Sequence, residues 1–124
     1  NSFRSKVAEA IFDKLYKGKK YKAISRGLIQ GPFIYPNTKK SVKSLGYNIK
    51  GKPKALTFNE SKKADIIVIV ADDVHTSIFS NYKKMGKKLI VWRIKDTDSK
   101  KTEQIKKITK EIETKIKNLI RELK

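Results

Sequence analysis

The sequence predicts an α/β protein built on a parallel, doubly wound sheet of about four strands with helices on both faces. Ile66-Ile67-Val68-Ile69-Val70 is an unbroken β-branched run. It is too apolar for a sheet face that meets water, so it is expected as a strand covered on both sides. Lys88-Leu89-Ile90-Val91-Trp92 is a second buried-strand candidate. After it Ile105, Ile108, Ile112, Ile116, Leu119, Ile120 and Leu123 fall at three- and four-residue steps, which predicts one amphipathic helix from about Lys100 to the end. Strands alternating with helices imply right-handed crossovers and therefore parallel pairing.

The other elements follow in chain order. Val7, Ile11 and Leu15, flanked by Ala8 and Phe12, mark a first helix that closes near Gly18. A short strand is expected around Tyr21 to Ser25. Gly27 to Tyr35, with Gly31-Pro32 inside it, reads as a loop, after which Pro36-Asn37 starts a helix that Gly46 ends. Thr57-Phe58-Asn59-Glu60 has capping-box spacing, with a Thr accepting from the third helical N–H and a Glu reaching back. One short helical turn should follow. Between the two apolar runs, Asp72 or Asp73 can cap a helix running to about Lys84, where Gly86 stops it.

At 124 residues the chain is expected to form a single domain, 1–124, large enough for a core without covalent staples. No apolar run approaches the roughly 20 residues of a membrane helix and no signal-peptide core is visible, so a cytoplasmic protein is expected. Zero cysteines and one histidine, His75, leave no disulfide framework and no thiolate or multi-histidine metal site. Only a carboxylate-based metal site would remain, and no cofactor is expected. His75 itself reads as a surface or capping residue.

The formal charge is +19, enough to attract polyanions over a Debye length. The excess is nearly all lysine, 27 Lys against four Arg. Base readers favour the arginine fork, and single-strand binders interleave aromatic platforms with their basic residues. Neither pattern is visible, and lysine pairs such as Lys39-Lys40 and Lys106-Lys107 are scattered. Specific nucleic-acid recognition is therefore not expected.

The chemistry-bearing candidate is the opening pentapeptide, Asn1-Ser2-Phe3-Arg4-Ser5. A short polar turn holding an arginine at the head of a helix gathers backbone N–H groups, a positive helix end and a guanidinium fork around one point. Such a place suits a tetrahedral oxyanion. The alternative is that Asn1 or Ser2 is an ordinary N-cap and Arg4 a solvated charge.

Arg4-Ser5, two residues, then Ala8-Glu9-Ala10 resembles the superfamily of low-molecular-weight protein tyrosine phosphatases and thioredoxin-linked arsenate reductases, in which a Cys-x5-Arg-Ser phosphate loop leads into that helix. Further stretches match in order: Ile24-Ser25-Arg26-Gly27, Ser44-Leu45-Gly46-Tyr47, Lys54-Ala55-Leu56-Thr57 and Ala64-Asp65-Ile66. The resemblance implies a thiolate that attacks phosphorus in line, with Arg4 as the clamp on the equatorial oxygens. Asn1, Ser2, Phe3 and Ser5 would belong to the substrate-binding loop, with the Ser5 hydroxyl near the thiolate. It also implies that the nucleophilic cysteine stands three residues before Asn1. A central strand between residues near 23 and residues near 68 would precede it, so some ten residues are expected ahead of this sequence.

The same resemblance points to Asp96, beyond the strand ending in Trp92, as the general acid. Trp92-Arg93-Ile94-Lys95-Asp96 is similar to the reductase branch, which carries Trp, a few residues, then Asp-Pro; Thr97 stands in for the proline. Asp96, Asp98 or Ser99 could instead cap the last helix. Reductases of this type carry two more cysteines, one where this chain has Val70-Ala71, so arsenate reduction would need an external thiol donor. Tyrosine phosphatases place aromatics after the acid, whereas Thr97-Asp98-Ser99 follows here; Phe33, Tyr35 or Tyr82 could form a wall instead. The expected partners are a phosphorylated protein or a small phosphate or arsenate oxyanion. The expected activity is phosphomonoester hydrolysis, the alternatives being arsenate reduction and a non-catalytic oxyanion- or polyanion-binding module.

Overall fold

The computed structural model describes residues 2–27, 34–70, 87–98 and 100–123. Its elements are α1 (Ser2–Leu15), α2 (Pro36–Ser44), α3 (Phe58–Lys63), β1 (Ile66–Val70), β2 (Lys88–Trp92) and α4 (Thr102–Leu123). The expected helix from Asp72 or Asp73 to Lys84, with His75 and Tyr82, lies outside the described residues, as do Asn1, the Gly31-Pro32 turn and Phe33.

β1 and β2 pair in parallel, with Ile66 opposite Lys88 and Val70 opposite Trp92. Their apolar runs form the ladder, and their side chains alternate between two clusters. Val68, Val70, Ile90 and Trp92 face the main core, and Ile67, Leu89 and Val91 gather around Ile69 on the other face. Both faces are thus apolar, as the runs imply. Among the described residues the sheet of about four strands is visible as these two.

The strand expected at Tyr21–Ser25 forms no ladder. Its neighbourhood contributes one isolated parallel bridge, Gly27 to Ala55, with Gly27 N donating to Lys54 O at 2.9 Å and Leu56 N to Gly27 O at 2.7 Å. Among the described residues no strand edge pairs with it. Between residues 20–26 and β1 lies a cavity of about 460 Å³, bordered by Tyr21, Ala23, Ile66 and Val68 and floored by helical residues such as Phe12 and Ile116.

α1 packs along α4 and touches β1. Val7 and Ile11 of α1 and Ile112 of α4 are fully enclosed, and Ile105, Ile108, Ile116, Leu119 and Ile120 complete the apolar stripe of α4. Truncating Ile112 to Ala removes buried methyl and methylene groups and leaves a cavity between two helices. A loss of about 2–5 kcal/mol in unfolding free energy is expected, read as a lower urea midpoint at unchanged m-value.

Local signals set the remaining boundaries. Pro36 occupies the first turn of α2, where its missing N–H costs nothing. Gly46 ends the segment in the left-handed region at φ 96°, where a side chain would be strained. The Tyr47 hydroxyl just beyond it donates to Glu113 of α4. Burial, then the hydrogen bond to this carboxylate, push the phenol up to about 12. The hydrogen bond from Tyr47 in turn holds Glu113 below the usual carboxylate range.

The capping box of α3 forms as its spacing predicts. Glu60 N donates to Thr57 Oγ1 and Thr57 N to Glu60 Oε1, each at 3.1 Å. Glu60 also receives the Arg26 fork, Nε at 2.9 Å and Nη2 at 2.7 Å from Oε2, which ties residues 20–27 to α3. These donors, Arg26 first, lower the Glu60 carboxyl to about 2. A depressed folded-state pKa stabilises above the unfolded value and is lost as pH falls through the folded one. Urea titrations should therefore show stability falling from about pH 4.5 toward pH 2, and Glu60→Gln should flatten part of that limb.

Candidate active site

The polar turn expected at the head of the chain is helical from Ser2 onward. Nothing in Ser2-Phe3-Arg4-Ser5 bars a helix, since the stretch holds no Gly or Pro, and both Phe3 and Arg4 are drawn inward. Phe3 is buried in the main core. Arg4 is fully enclosed, at 0% exposure. Its Nη1 donates to the carbonyl oxygen of Ile94, two residues past the end of β2. Ser5 is half-buried and borders the cavity beside β1.

This hydrogen bond joins the first turn of α1 to the C-terminal end of β2 across 90 residues of sequence. Trp92 and Ile94 on that stretch are buried while Arg93 and Lys95 are exposed. Asp96 follows two residues after the carbonyl and is solvent-exposed. Asp98 has a different task. Its Oδ1 accepts from Lys100 N at 2.8 Å and its carbonyl oxygen from Lys101 N at 3.0 Å, closing the turn that leads into α4. Of the capping alternatives, Asp98 serves the turn that precedes α4, and Ser99 lies outside the described residues.

Two supports were not legible beforehand. The Ile94 carbonyl has no residue-type signature, because any amino acid supplies one. Ser25 Oγ donates to Glu9 Oε1, which braces α1 against residues 20–27 on the flank of the cavity. Lys6 Nζ lies 3.7 Å from the same carboxylate oxygen and donates to Lys50 O at 2.9 Å. Serine and glutamate at these positions carry a signal only through the family words they sit in. Among the described residues no group of three or more His, Cys, Asp or Glu could hold a metal ion, and no helix is long and apolar enough to cross a membrane.

A parallel pair of strands with helices packed against it, and a buried arginine in the first helical turn bonded to the strand end, make this a mixed α/β protein with a parallel sheet. The family described as low molecular weight phosphotyrosine protein phosphatase matches over residues 1–124, and the chain belongs to it. No curated protein sequence matches. Among solved structures, the chain is similar to a low molecular weight protein tyrosine phosphatase from T. tengcongensis, with TM-score 0.82, 26% identity, and 98% of this chain and 92% of that one covered. It is also similar to an arsenate reductase from Archaeoglobus fulgidus DSM 4304, with TM-score 0.69, 23% identity, and coverage of 94% and 90%. A third is the YwlE arginine phosphatase from Geobacillus stearothermophilus, with TM-score 0.80, 19% identity, and coverage of 99% and 86%. The family and its neighbours are phosphatases and arsenate reductases, and the shared architecture is mixed α/β with a parallel sheet.

Proposed function

We propose that this protein is a phosphomonoester hydrolase that works through a Cys-x5-Arg loop and a cysteinyl-phosphate intermediate, with a cysteine preceding Asn1 as nucleophile. The observation that carries the reading is the burial of Arg4 in the first turn of α1, bonded to the Ile94 carbonyl at the strand end that leads to Asp96. A guanidinium held in a water-poor place interacts with an anion far more strongly than one in water. The cavity between residues 20–26 and β1 adds support. A strand running into α1 would fit there, pair with β1 and end where its loop reaches Arg4.

In this mechanism the thiolate attacks phosphorus as the bond to the leaving oxygen breaks, and Arg4 holds equatorial oxygens. Asp96 gives its proton to the departing oxygen. The Asp96 carboxylate then takes a proton from water as that water attacks phosphorus, and the S–P bond breaks to return the thiolate and release inorganic phosphate. Asn1, with Ser2, Phe3 and Ser5 in the first turn of α1, completes the substrate-binding segment around the phosphoryl group. We place the whole of residues 1–124 in one domain that carries this site.

Arsenate reduction with an external thiol donor is the second reading, favoured by buried Trp92 ahead of Asp96, and a non-catalytic oxyanion-binding module is the third. The experiment uses protein expressed with the residues encoded before Asn1. Hydrolysis of para-nitrophenyl phosphate is compared with arsenate-dependent oxidation of a small dithiol. Phosphate release with one reactive thiol supports the hydrolase. Thiol oxidation without it supports the reductase, and inactivity in both assays with retained phosphate binding supports the module.

A further inference from the structure

Resting on the phosphatase reading, we propose that the mouth of this site selects phosphopeptides whose phosphorylated residue is flanked by acidic side chains. The stretch that carries Asp96 is a cationic rim. Trp92 and Ile94 turn inward, so Arg93 and Lys95 are exposed on either side of the residue whose carbonyl holds Arg4. The chain then reverses through the Asp98 turn, with Lys100 N on Asp98 Oδ1 and Lys101 N on Asp98 O. Lys100 and Lys101, both exposed, follow directly on that turn.

Residues 93–101 thus hold four cations, two carboxylates and no aromatic side chain. When Asp96 is protonated to act as the acid, only Asp98 opposes the four. A neutral phenyl ring gains little from such a rim. Carboxylates beside the phosphate gain on approach and on docking. The rest of the chain reinforces the field, because no Asp or Glu occurs from Lys14 through Asn59, while eleven Lys and Arg26 do.

The rim charges are exposed and of the lysine type, so the selectivity is expected in KM and to be sensitive to salt. The test compares three phosphotyrosyl peptides that differ only in acidic, neutral or basic flanking residues, with para-nitrophenyl phosphate alongside. Wild type is set against the Lys95→Glu/Lys101→Glu double variant at low and high salt. At low salt the acidic peptide should exceed the neutral one by roughly tenfold in kcat/KM, through KM. High salt and the double variant should each erase that ratio. Equal kcat/KM for the three peptides, or a ratio that survives charge reversal with an unchanged thermal midpoint, overturns the selectivity while leaving the hydrolase standing. Failure to turn over any of the four substrates overturns the hydrolase reading and the selectivity with it.

Discussion

Arg4→Lys is expected to lower kcat/KM for a phosphomonoester by about 10³-fold, on the scale of losing preorganised donors to a transition-state oxyanion. The substitution keeps the charge and loses the fork. A guanidinium offers five donors in one plane, so Nη1 can stay on the Ile94 carbonyl while the group faces an anion. A single ammonium on a flexible stem cannot do both in the same geometry. The loss should appear in kcat as well as in kcat/KM, because the charge spread over three oxygens peaks in the transition state. Since Arg4 is fully enclosed, the urea midpoint is measured in parallel. A variant that keeps wild-type turnover refutes the clamp. One that loses turnover only in proportion to its unfolded fraction assigns Arg4 to the architecture alone.

Asp96→Asn carries the second large effect, a fall in kcat of about 10² to 10⁴-fold for an alkyl or phenyl leaving group, the range for removing a general acid. The fall should be smaller for para-nitrophenol, whose oxygen leaves with little help. An acid must hold its proton to act, so the alkaline limb of the wild-type pH–rate profile should vanish in the variant. Asp98→Asn provides the contrast. Its carboxylate accepts a backbone N–H in the turn before α4, and an amide oxygen can still accept there, so its pH profile should keep the limb. An unchanged profile for Asp96→Asn would move the proton donor elsewhere.

The parts of the fold that depend on local rules were legible in the residues. β1 and β2 fall on the two runs that nominate them because short, two-sided apolar runs have few other uses. Thr57 and Glu60 mark the start of α3 because their partners are three residues away, and Gly46 marks the end of the α2 segment because its φ excludes other residues. Tyr21–Ser25 was a different matter: strand character needs an edge to pair with, and that edge is not local. Polar Ser2, Arg4 and Ser5 suggest a turn at the head of the chain, but polarity does not unwind a helix whose Phe3 and Arg4 are buried. Of the site, the arginine and the aspartate could be nominated from sequence words. What brings the first turn of α1 to the strand end before Asp96 is a main-chain oxygen, and no composition or spacing rule announces one.

The tether between Arg4 and Ile94 closes a loop of 90 residues. A nascent chain still holding residue 94 inside the ribosomal tunnel has its arginine outside and nowhere to anchor it. Closing so long a loop comes late, after the local helices. The tether therefore waits until residue 94 has left the tunnel, and a chain that stalls before that point leaves Arg4 without its Ile94 partner.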